Sequence, residues 1–179
     1  MQSIYFVDSN FTYESSKKSI LSIRYATDGF SFCVHDETEK LVVFVHEPYA
    51  ADSREAAVAR LKNYVVNDAI LNLRFKKVYI MPCFKEKLLV PGAFFDKANI
   101  APLYTVNQEV APDDTILYHH IEGIEAYLVE TVISSFHDFV REHFPVVQIV
   151  NGAYPFILGA MAKALRDTEQ IFLDIQDNY

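Results

Sequence analysis

The chain contains no tryptophan, only five glycines and two cysteines, and few basic residues: 16 Lys and Arg stand against 24 Asp and Glu, a net charge of −8. The missing positive charge excludes a nucleic-acid surface, which needs clustered Lys and Arg to displace phosphate counterions. No apolar run approaches the ~18 residues of a membrane span. The first residues, MQSIYFVDSNF, have no basic region, no long apolar core and no small-residue cleavage site, so they do not read as a signal peptide. With Cys33 and Cys83 far apart and each in a predicted strand, the expectation is a cytoplasmic protein with two buried, reduced thiols. Motifs of common enzymes are absent too. There is no Gly-x-Ser-x-Gly, no Walker loop, no Rossmann fingerprint and no His-Glu-x-x-His.

What is present is apolar and aromatic. Hydrophobic residues make up 51% of the chain, with 14 Phe and 11 Tyr, enough for a large aromatic core. The stretch Leu21–Glu47 reads as three consecutive strands. The first is Leu21–Ala26, and Asp28-Gly29 is expected to turn the chain with both residues at positive φ. The second is Phe30–His35, with Phe30, Phe32 and Val34 on one face and Ser31, Cys33 and His35 on the other. The third, Leu41–His46, is nearly continuous in apolar residues, as in a strand covered on both faces. Asp52 with Glu55 forms a capping-box pattern, and Val58, Leu61, Tyr64 and Val65 recur at helical spacing behind it. A fourth strand, Lys77–Met81, closes at Pro82.

Beyond that point, Lys87–Val90 reads as extended, Pro91-Gly92 as a break, and Phe94, Phe95 and Ile100 as an apolar cluster. Thr105–Val110 and Thr115–His120 read as strands separated by a turn at 111–114, and Ala126–Val132 as another. Ser135-Phe136-His137-Asp138 is expected to open a capped helix whose Phe136, Phe139, Val140 and Phe144 form an apolar stripe. Val146–Val150 follows as a strand, then a helix from Pro155 to about Leu165, then a strand Ile171–Ile175. The order strand-strand-strand-helix-strand-helix-strand is that of a ribonuclease-H-like α/β layer, a mixed sheet covered by helices.

The segments LSIRYATDGFSFCVHD and LLVPGAFFD carry a resemblance. They are similar to an uncharacterised family of bacterial proteins, a domain of unknown function with the actin-like ATPase fold of sugar kinases, Hsp70 and actin. The resemblance covers roughly residues 20–175. It implies a fold of two ribonuclease-H-like lobes. Residues 1–20 would then be an N-terminal arm, 21–168 the first lobe, and 169–179 the opening strand of a second lobe that is truncated.

The superfamily also implies ATP with Mg²⁺, held by a hairpin at the start of each lobe. Such a hairpin needs an Asp before the turn for metal-bound water and a Gly for close approach of backbone N–H groups to phosphate. Here Arg24-Tyr25-Ala26-Thr27 occupies that place in the first lobe. Asp28 and Gly29 are left as candidates for a degenerate phosphate loop, and Asp174 for its counterpart, with Gln176 where Gly is wanted. The expectation is therefore a non-catalytic protein without a cofactor, working through a protein partner, with weak ATPase or nucleotide binding as the alternative. A metal-dependent nuclease would need inward carboxylates on the first and fourth strands, and neither has one, although Asp8, Asp28, Asp36 and Glu47 lie near the three-strand unit. His119 and His120 point to opposite faces of a strand, and His137 and His143 are misaligned on a helix, so no ligand set emerges for a metal. Cys83 reads as packing rather than as a nucleophile. The apolar end, residues 170–179, is expected to favour self-association as an unpartnered strand.

Overall fold

The structure is a computed structural model that describes residues 2–121 and 123–164. Contacts divide the chain into two compact units. One comprises Met1–Cys83 with Ser135–Val150, the other Phe84–Ser134 with Asn151–Tyr179.

The first unit is built on a six-stranded sheet. Its strands are β1 (Ile4–Val7), β2 (Ile20–Ala26), β3 (Gly29–His35), β4 (Leu41–Pro48), β5 (Lys77–Pro82) and, from later in the chain, β9 (Val147–Ile149). They lie in the order β1-β4-β3-β2-β5-β9. The pairs β2–β3, β3–β4 and β1–β4 are antiparallel, while β5 lies parallel to both β2 and β9. An antiparallel three-strand meander followed by parallel strands, reached through helical crossovers, is the ribonuclease-H-like arrangement the sequence suggested. The N-terminal arm docks β1 as an edge strand and adds a single turn, α1 (Tyr13–Ser16), capped by Thr12.

The buried set of this unit follows the strand alternation. Leu21, Ile23, Tyr25, Phe30, Phe32, Val34, Val43 and Val45 are each at most 3% exposed. They meet α2 (Arg54–Asn67), which buries Ala57, Val58, Leu61 and Val65, and α4 (Ser134–His143), which buries Phe136 and Val140. Tyr25 and Phe136 pack with ring centroids 5.0 Å apart. At about 25 cal/mol per Å² of apolar surface, each such ring contributes several kcal/mol to the gross hydrophobic term.

Several local expectations are corrected. The hairpin turn is Thr27-Asp28, because Ala26 pairs directly with Gly29. Only Gly29 has positive φ there, at +150°, and it is the first residue of β3 rather than a turn residue. The helix α2 is capped by Ser53, whose Oγ accepts from the Ala56 N–H at 3.2 Å, and not by Asp52. Ser53 is extended, at φ −152° and ψ 167°, as a cap requires. Ser135 lies inside α4 instead of capping it, and its carbonyl accepts from Lys62 Nζ at 2.9 Å. In β4, Val42, Val43 and Val45 are buried while Leu41 is exposed and Phe44 half-buried, so the strand is not covered evenly on both faces.

The second unit holds a separate antiparallel sheet, β6-β8-β7, made of β6 (Lys87–Pro91), β7 (Asp114–Ile121) and β8 (Ala126–Ile133). Between β6 and β7 the chain forms a 3₁₀ turn at Gly92–Phe94 and a helix, α3 (Ile100–Asn107). The expected strand Thr105–Val110 is therefore wrong: its first half is the end of α3. Thr105 and Val106 have strand propensity, but Ile100 and Tyr104, one turn apart, bury against Val90 and Val129 and decide the local structure. Tyr104 Oη also donates to the Glu86 carbonyl at 2.8 Å. Phe95 stacks on Tyr127 at 3.6 Å between centroids. The last described element is α5 (Tyr154–Ala164). The expected strand Ile171–Ile175, the candidate Asp174 and the self-associating end 170–179 lie outside the described residues.

Candidate functional site

The first candidate is the β2–β3 hairpin tip, the position where the fold's phosphate loop would lie. The Thr27 carbonyl accepts from the Ala51 N–H at 2.8 Å, and the Asp28 carbonyl from the Tyr49 N–H at 3.1 Å. The tip is thus stitched to the segment after β4. The Asp28 Oδ1 atom is buried and has no hydrogen bond, but Arg24 lies 3.7 Å from it, so the carboxylate is balanced by a cation four residues away. Gly29 is needed for a different reason from ligand approach. A Cβ at this position would sit 2.7 Å from the Glu47 carbonyl oxygen and 3.1 Å from the Pro48 Cα. Beside the tip, the Tyr49 ring carries Arg60 at 5.1 Å over its face. Burial pushes the Tyr49 hydroxyl up to about 12, and no hydrogen bond reaches it.

The other carboxylates near the three-strand unit are dispersed. Asp8 bonds Lys40 at 2.7 Å, which holds its carboxyl below the usual range. Asp36 accepts from the Thr38 hydroxyl and backbone, with the same effect. Glu47 accepts from Ser3 Oγ at 2.8 Å. Among the described residues, no group of three or more His, Cys, Asp or Glu is placed to hold a metal ion. Cys83 is buried and Cys33 half-buried, and burial raises the Cys33 thiol.

The second candidate was missed in the sequence. It lies in the second unit, on β7, β8 and the start of α5. Glu130, only 3% exposed, accepts at Oε2 from Asn151 Nδ2 at 2.6 Å. Asn151 is fully buried, and its Oδ1 accepts from the Ala153 N–H, which opens α5. On the other side, Glu130 Oε1 stands 3.8 Å from His119 Nε2, and neither atom has a hydrogen-bond partner. The register explains the meeting: Glu130 lies opposite Leu117 and His119 opposite Leu128, so the two are diagonal neighbours on one face. Burial drives the Glu130 carboxyl up to about 8, with Lys87 across the strand pair and the Asn151 bond pulling the other way. Burial lowers the His119 imidazole. Both shifts have the same cause, burial, and both favour the uncharged forms, a neutral carboxyl facing a neutral ring. The available signal was a lone acid inside the apolar run AYLVETVI. His120 points away and meets Glu125 at 3.6 Å.

A meander continued by parallel strands across helical crossovers defines the class: a ribonuclease-H-like lobe of the actin-like ATPase fold. A family model matches residues 8–179, and the chain belongs to that family, DUF3822, described as a protein of unknown function. A solved structure from Bacteroides thetaiotaomicron, described as a protein with actin-like ATPase fold and unknown function, is similar with a TM-score of 0.77 and 24% sequence identity. The match covers 86% of this chain and 60% of that one, so the chain spans about three-fifths of its neighbour's length. Comparison with curated proteins gives no match. No helix among the described residues is long and apolar enough to cross a membrane.

Proposed function

We propose that this is a non-catalytic protein of actin-like fold that works through contacts with other proteins in a bacterial cytoplasm. The observation that carries the reading is the β2–β3 tip. Its carbonyls are engaged by Tyr49 and Ala51, its one acid by Arg24, and its glycine by the close passage of Glu47. A magnesium-phosphate site needs a carboxylate turned to metal-bound water and open space over the glycine. The Arg24-paired Asp28 and the closely covered Gly29 are a poor fit to a magnesium-bound triphosphate. The contact half of the reading is supported by β1, whose Ile4, Tyr5, Phe6 and Val7 are all exposed. The alternative, a nucleotide-binding protein or weak ATPase, draws on the fold alone, and one fold hosts many functions. Calorimetric titration with ATP, with and without Mg²⁺, tests the choice. The reading predicts no saturable binding, and a micromolar Kd overturns it.

A further inference from the structure

β1 is an edge strand of an unusual kind. It is the outermost member of the six-stranded sheet, and among the described residues nothing pairs with its outer side. Natural edges are commonly blunted by Lys, Pro, bulges or inward charges. Here the strand is Ile-Tyr-Phe-Val, and its exposures are 49%, 65%, 45% and 36%. Both faces are apolar and both are open.

The pairing with β4 fixes which backbone groups are free. Asp8 N–H donates to the Val42 carbonyl, so the even-numbered residues of β1 bond inward. Tyr5 and Val7 therefore direct their N–H and C=O groups outward, four main-chain groups in a row of two residues. We infer that β1 is a self-recognition edge, at which a second copy of this chain adds its own β1 antiparallel about a two-fold axis at Phe6. The inference deepens the reading of the protein as one that acts through protein contacts, by naming the partner.

The register makes the strand complementary to itself. With Phe6 opposite the partner's Phe6, Tyr5 lies opposite the partner's Val7, and Val7 opposite the partner's Tyr5. Those two pairs hold all four outward groups, so each exchanges both N–H···O bonds and none is left over. Phe6, whose own groups bond inward, falls in the non-hydrogen-bonded position, where side chains approach closest. The cross-strand pairs are then one aromatic pair and two aromatic–β-branched pairs, the favourable kinds. Glu47 sits beside Ser3 at one end of β1 and the Lys40–Asp8 ion pair at the other. The antiparallel arrangement therefore sets the acid of one copy beside a neutralised pair of the other, not beside a second bare acid. A contact through one four-residue strand is smaller than the ~800 Å² per partner of a standard interface, so the dimer is a reversible one.

Sedimentation velocity over a wide concentration range reads this directly. The wild type is expected to dimerise with a Kd on the order of 10–100 µM. Tyr5→Pro removes an outward N–H that β4 does not use, and Phe6→Lys places two like charges face to face; each should weaken dimerisation ~10-fold or more while circular dichroism stays that of the folded protein. Phe6→Cys supplies a register check that does not depend on those variants. Across a non-hydrogen-bonded pair at ~4.5 Å, oxidation should link two copies, whereas Ile4→Cys, displaced from its own symmetry mate, should not link. A wild type that stays monomeric throughout, a dimer unaffected by folded Tyr5→Pro and Phe6→Lys, or linking through Ile4→Cys and not Phe6→Cys, overturns the inference. Nucleotide binding by an intact dimer would instead overturn the non-catalytic reading and leave this interface standing.

Discussion

Gly29 and Glu130 are the two residues whose surroundings demand most of them. At Gly29 the demand is steric: positive φ and a carbonyl 2.7 Å from where a Cβ would be. Gly29→Val is expected to cost about 2–3 kcal/mol, seen as a lower denaturant midpoint at unchanged slope. An unchanged midpoint would mean that β3 and β4 separate there without loss. At Glu130 the demand is electrostatic. Burial pushes its carboxyl up to about 8 in the fold, against the ordinary 4.5 of a glutamate in the unfolded chain. The folded state therefore binds the extra proton across that window, and stability falls as pH rises through it. His119 acts oppositely: its lowered value means stability is lost as pH drops below about 6.5. Glu130→Gln keeps an oxygen for Asn151, offers an N–H to His119 and cannot ionise. It should raise the melting temperature at pH 8 and flatten the alkaline side of the stability profile. A profile as steep as the wild type's would remove Glu130 as its source.

Among elements, the helix starts separate what sequence pattern reveals from what it hides. Asp52 and Ser53 are both good caps in isolation, and Glu55 sits three residues after the first. The chain chooses Ser53 because its backbone is extended and its Oγ reaches the Ala56 N–H. Ser53→Ala should then cost ~1 kcal/mol, and Asp52→Ala much less. Thermal melts of the two variants decide it, and equal losses would restore the capping box. The strands β2, β3 and β5 were legible because their apolar alternation and their Pro and Gly boundaries agree with one another, and β4 because its apolar run stops at Pro48. Thr105–Val110 was not, because two buried side chains one turn apart, Ile100 and Tyr104, outweigh the strand propensity of Thr105 and Val106. The Glu130 cluster was illegible for a related reason. A diagonal contact between β7 and β8, closed by Asn151 at the head of α5, depends on a register that no local pattern announces.

At the scale of the molecule, the ribonuclease-H-like order was readable from the succession of strands and helices, and the resemblance to an actin-like family from two short segments. The separate sheet β6-β8-β7 was not foreseen as a unit, since its strands look individually like further members of one sheet. The β2–β3 tip is tied to the chain around it: Tyr49 and Ala51 donate to its carbonyls, Arg24 lies 3.7 Å from Asp28, and the Glu47 carbonyl passes close to Gly29. The most direct measurement is isothermal titration of the chain with ATP in the presence of Mg²⁺. The account predicts no saturable heat, hence a Kd no tighter than ~1 mM, worth only about 4 kcal/mol. A saturable micromolar isotherm that Asp28→Ala abolishes would contradict it.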